Sequence, residues 1–184
     1  MPEPLAPATP MEQEWERTEV EVESPNGRVR VTLRGDHALT LWVDPTWYAT
    51  VPVDALESEL ARTARLAYVE RTRAYYRTWS RLAGREMRPA TVPASPEQAE
   101  YLDRLQDVHA EGSADGGRVV LTMVGLSQFA VTIDPAVLRE LDAPAFASVA
   151  ARAALDCLAA HNRGWQELHA EVYLRNRPAR AMSW

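Results

Sequence analysis

Between residues 62 and 88 the chain carries eight arginines (Arg62, Arg65, Arg71, Arg73, Arg77, Arg81, Arg85 and Arg88) against two acids, Glu70 and Glu86. Arg73, Arg77, Arg81 and Arg85 recur every four residues, so on a helix they form a slowly drifting stripe along one face. Tyr75, Tyr76 and Trp79 interleave with them and could lie against a nucleic-acid backbone or stack. Guanidinium groups in such a stripe suit phosphate contacts, each of which lowers log K by about 0.9 per log unit of salt. Arg62, Arg65, Arg73, Arg77, Arg81 and Arg85 are therefore the candidate nucleic-acid contacts, with duplex DNA as the expected partner. The alternative is a solvated helix face paired to the acid-rich segment Glu19, Glu21 and Glu23.

Other residues that could do chemistry carry less. Asp44 and Asp134 could pair as general acid and base, but each stands before a proline at the end of an alternating apolar segment, which reads as a strand-ending turn cap. Of the four histidines, only His161 and His169 share an expected helix, and their eight-residue spacing is not the i, i+4 spacing of two ligands to one ion. Gly112 to Gly117 is glycine-rich but leads into a strand instead of opening a helix, so it reads as a hairpin turn and not a phosphate loop. No nucleophile, base and oxyanion donor assemble. The expectation is a non-enzymatic protein with no cofactor and no metal.

With 184 residues, 46% of them apolar and 25% charged, the chain can bury a core. No apolar run approaches the roughly 18 residues of a membrane span, and the start is acidic and Pro-rich, so the expectation is a cytoplasmic protein with no membrane partner. Net charge is −6, with residues 62 to 88 at +6 and the remainder at −12. All 20 basic residues are arginine, which fits a GC-rich genome as readily as selection for bidentate contacts. Cys157 is the sole cysteine, set in an Ala/Leu-rich helical pattern, and reads as a buried spectator.

The elements that must position these residues occur twice. Gly27 to Pro45 aligns without gaps on Gly117 to Pro135, 90 residues on, with seven identities in nineteen positions: Gly27, Arg28, Val29, Thr32, Gly35, Asp44 and Pro45. The offset continues, Ser58, Ala61, Arg62 and Arg73 meeting Ser148, Ala151, Arg152 and Arg163. A register held that far implies duplication of one supersecondary unit. In each copy the pattern predicts a short Pro-initiated helix (Thr9-Pro10 and Ser95-Pro96), three alternating strands and a long helix. The first long helix shows apolar or small residues at 56, 60, 63, 67, 74, 78 and 82, missing a turn near 70, with Asp54 and Glu57 as a capping pair. The second begins near Ala145 and carries Phe146, Val149, Ala153, Cys157, Leu158, Trp165, Leu168 and Val172. The expected object is an α+β intramolecular pseudo-dimer: a disordered tail 1–9, a first repeat 10–83, a linker 84–94, a second repeat 95–176 and a C-terminal tail 177–184.

Val29-Arg-Val31-Thr-Leu-Arg-Gly35 with Val43-Asp44-Pro45, and Val119-Val-Leu121-Thr-Met-Val-Gly125 with Ile133-Asp134-Pro135, resemble the YbaB/EbfC family of nucleoid-associated proteins. The resemblance covers most of each copy and implies DNA binding with little sequence preference. Family members of about one copy's length form homodimers, whereas two divergent copies are fused here. The matched positions specify fold, so no family contact residue transfers by motif.

Two readings follow. One is a nucleoid-associated DNA-binding protein. The other is a protein-interaction or scaffold module that keeps the fold and binds an acidic protein partner, since domains like the family's also occur in actinobacterial type VII secretion-associated proteins. Arg65, Arg71 and Arg77 meet Leu155, His161 and Glu167 in the second copy, so only one arm is strongly basic. Six tryptophans, some expected at the surface, are compatible with further homo-oligomerisation.

Overall fold

Two antiparallel sheets share one register, 90 residues apart. In a computed structural model, which describes residues 9–89 and 92–174, β1 (Glu19–Glu23), β2 (Val29–Arg34) and β3 (Ala38–Val43) form one three-stranded sheet. β4 (His109–Ala114), β5 (Val119–Val124) and β6 (Gln128–Ile133) form the other. Val29 pairs with Val43 and Leu33 with Leu39; Val119 pairs with Ile133 and Met123 with Phe129. The expected N-terminal tail, Thr9 apart, and the expected C-terminal tail lie outside the described residues.

Each strand obeys the period-two rule, with Val20, Val22, Val29, Val31 and Leu33 buried on one face of the first sheet and charges on the other. The acid-rich strand is satisfied within its own sheet: Glu19 reaches Arg34, and Glu21 and Glu23 both reach Arg30. The alternative in which these acids pair with the long arginine helix is not what the strand's ion pairs show, because cross-strand partners lie nearer. Gly35 and Gly125 take positive φ (52° and 58°) at the β2–β3 and β5–β6 turns, and a Cβ on Gly125 would stand 2.7 Å from the Gln106 carbonyl oxygen.

Thr9 caps α1 (Pro10–Arg17) in a reciprocal box with Glu12, and Ser95 caps α4 (Pro96–Arg104). Asp44 accepts the backbone N–H groups of Thr46 and Trp47 and so starts a four-residue helix, α2 (Pro45–Tyr48); α5 (Val137–Glu140) stands in the same place after Asp134. Neither short helix was legible as such; Asp44 caps α2, whereas Asp134 closes the turn by accepting the Ala136 N–H and α5 has no side-chain cap.

The long helices are α3 (Val53–Ala83) and α6 (Ala143–Leu174). α3 starts at Pro52 without a side-chain cap, so Asp54 and Glu57 are not a capping pair. Glu57 instead accepts the Ile133 N–H at 2.7 Å, tying α3 to the other sheet. α3 lies on β1, β2 and β6, while α6 lies on β4, β5 and β3, so each helix crosses from its own sheet to the far edge of the other. The main core accordingly draws on both halves, joining Val29, Val43, Leu56 and Leu60 to Val119, Ile133, Phe146 and Val149.

By length and composition α6 is apolar enough to span a bilayer, contrary to the reading of the sequence, but its apolar side supplies this core through Phe146, Val149 and Ala153, and a second cluster with Ala110, Leu121 and Met123 through Cys157. Gly112 opens the glycine-rich stretch but lies inside β4 and is buried; the turn is Asp115 to Gly117, all at positive φ. A Cβ on Gly112 would stand 2.1 Å from the Cys157 backbone nitrogen, so its absence lets α6 close on the strand.

Candidate nucleic-acid interface

The stretch of α3 beyond residue 70 is braced from one side by α1. The Trp15 ring meets Tyr75 edge-on at 5.5 Å, and Arg81 bonds Glu14 at 2.5 Å. Tyr75, Tyr76 and Trp79 continue the aromatic series, Tyr76 to Trp79 at 5.9 Å. With Ala74 and Thr78 buried, the opposite side of the helix faces solvent.

All six predicted contact residues are exposed, but they differ in what they are free to do. Arg65, Arg77 and Arg85 make no hydrogen bond or ion pair among the described residues. Arg62 bonds Glu59 at 3.2 Å, Arg73 bonds Glu70 at 2.5 Å, and Arg81 is held by Glu14. The Arg73 and Arg81 pairs are exposed, each contributing on the order of 0.2–1 kcal/mol, so these two guanidinium groups exchange readily for another anion, whereas Arg62 is held by Glu59, whose side chain is buried and would be left without its cation. Arg85 departs from the expected stripe, because α3 ends at Ala83 and Gly84 turns the chain into the left-handed region. Leu82, expected on the packed side, is 46% exposed in this last turn. Arg17 of α1, absent from the sequence-based set, shares a surface hollow with Arg77 and Arg81, where Glu14 and Glu19 also converge.

The arginine that differs most is Arg71. Its side chain is only 14% exposed and grips Asp36 in a bidentate pair, Nε to Oδ1 at 2.8 Å and Nη2 to Oδ2 at 2.7 Å. Asn162 of α6 donates to the same carboxylate at 3.0 Å, and the Trp15 ring covers the guanidinium at 5.5 Å. Arg71 is therefore a lock between α3, the β2–β3 turn and α6. It fills the missing turn near 70 in the apolar series of α3, which is the signal that could have revealed it.

The equivalent place on α6 holds His161, buried, with its Nε2 3.3 Å from the Tyr68 hydroxyl of α3. Burial, reinforced by the nearby Arg71 charge and opposed by Asp36, pushes its pKa down to about 4. The imidazole is thus neutral at ordinary pH. His169 meets Tyr101 edge-on and lies tilted against Tyr173, and His37 and His109 are exposed on the first and second sheet regions. Among the described residues no group of three or more His, Cys, Asp or Glu could hold a metal ion.

The second arm is built alike and charged differently. α4 packs on α6 through Tyr101, Leu105, Leu168 and Val172, and Arg104 bonds Glu171 at 2.7 Å. Where α3 has Arg77 and Arg81, α6 has Glu167 and Glu171. Asp44, the candidate for paired-carboxylate chemistry, is occupied by the Trp47 backbone N–H and by Arg28, which hold its carboxyl below the usual range. Asp134 is likewise engaged, accepting from Ala136 N–H at 2.8 Å. No protein-family model, curated protein or solved structure matches this chain.

Proposed function

We propose that this is a non-enzymatic, cytoplasmic DNA-binding protein of the YbaB/EbfC type, in which two tandem copies form an intramolecular pseudo-dimer and the outer face of α3 contacts the duplex backbone with little sequence preference. The pseudo-dimer reading draws on the common strand register and on the exchange of helices between sheets. The DNA reading is carried by one observation: exposed arginines line a braced helix arm, with Arg65 and Arg77 free of ion pairs among the described residues. A phosphate backbone offers such a surface repeated negative charge without demanding a base sequence.

A second reading, a scaffold module binding an acidic protein partner, draws on the contrast between arms, since Glu167 and Glu171 replace Arg77 and Arg81. Fluorescence anisotropy with two unrelated labelled duplexes at about 50 mM salt separates the two. Binding of both within a few-fold supports the DNA reading; no binding of either leaves the scaffold reading.

A further inference from the structure

An apolar pocket of about 110 Å³, partly open to solvent and with Arg71 at its wall, lies where the inner faces of both sheets meet α3 and α6. It is walled by equivalent residues of the two halves: Leu39 and Leu41 of β3 face the same space as Phe129 and Val131 of β6, 90 residues on. These four side chains stay only partly buried although they point inward with the core. The helices turn several small residues toward it, among them Ala64, Ala150 and Ala154, beside the larger Leu60, Tyr68 and Leu158, and the space is left between them.

Protein interiors are packed to crystal-like density and few voids exceed a water molecule. A space this size with an almost wholly apolar wall offers water too few hydrogen-bond partners to be held. Apolar cavities of the same order, roughly 150 Å³, stay dry and take up benzene or xenon. We propose that this pocket is a binding site for a small, uncharged, apolar molecule up to about the size of a benzene ring. Tyr68 is part of the wall and also carries the hydroxyl that meets His161, so an occupant touches the tie between α3 and α6.

The test is methyl NMR of the intact protein titrated with benzene, beside an Ala154→Leu variant that fills the space and an Ala64→Val variant that fills less of it. Saturable shifts of the Leu39, Met123 and Val131 methyl groups, abolished in whichever variant keeps the wild-type circular dichroism, are expected. Benzoate, of similar shape but charged, should give none. Absence of saturable shifts in the wild type, or equal shifts in the filled variant, would overturn the proposal. Neither outcome depends on whether the protein binds DNA.

Discussion

The Tyr68 hydroxyl and His161 Nε2 meet at 3.3 Å, joining the two long helices beside the Asp36, Arg71 and Asn162 cluster. The tie requires a neutral imidazole to avoid adding a second buried cation near Arg71. Its pKa is lowered from 6.5 to about 4, so the folded state resists protonation. The sign follows from linkage: a folded pKa below the unfolded one means stability is full above about pH 6.5 and is lost as pH falls toward 4. The loss attributable to His161 is on the order of 3 kcal/mol. Urea unfolding at pH 7.5 and 4.5 should show a larger drop in the wild type than in His161→Gln; equal drops would contradict it.

Arg71 and Arg73, two positions apart, should behave as different residues. Arg71→Leu strands Asp36 and Asn162 and should cost about 2–3 kcal/mol. Arg73→Ala removes one exposed pair and should cost less than about 0.5 kcal/mol. Urea midpoints of the two variants measure the contrast, and similar midpoints would refute the lock.

Gly112→Ala should destabilise by about 3 kcal/mol or prevent folding, because the added methyl meets the Cys157 and Ala153 backbone, which cannot swing aside as a side chain could. Its counterpart in the first sheet is Val22, where a side chain is accommodated beside α3. A thermal melt of Gly112→Ala within a degree or two of wild type would show that α6 does not close on β4 as described.

Cys157 is buried with its Sγ 3.7 Å from the Ala110 carbonyl oxygen, and burial, aided by Glu111, pushes the thiol up to about 11. It should resist a thiol reagent at pH 8 and react at the rate of unfolding when urea is added. Prompt stoichiometric labelling of the native protein would place the thiol at the surface.

The strand register was legible because turn glycines, alternating valines and Asp-Pro strand ends are local signals, and the structure places them as read. The lock was not, because an arginine among eight looks like its neighbours until the phase of Leu60, Thr63, Ala67, Ala74 and Thr78 is extended through 71. Glu57 was misread for a similar reason. Its partner, the Ile133 N–H, is 76 residues away, and no local pattern announces it. The alternative that paired the acidic strand with the arginine helix overlooked that its sheet partners Arg30 and Arg34 are fixed by pairing register, which charge counting ignores.

The most direct test of the central claim is the salt dependence of duplex binding, measured by anisotropy between about 50 and 200 mM salt for the wild type and an Arg65→Ala/Arg73→Ala/Arg77→Ala variant. If the outer face of α3 holds the phosphates, the wild type loses affinity steeply. The slope of log K against log salt then falls in magnitude by about 2.7 in the variant, the contribution of three phosphate contacts. No binding by the wild type at the lower salt, or an unchanged slope in the variant, would contradict the assignment of this helix as the DNA-binding surface.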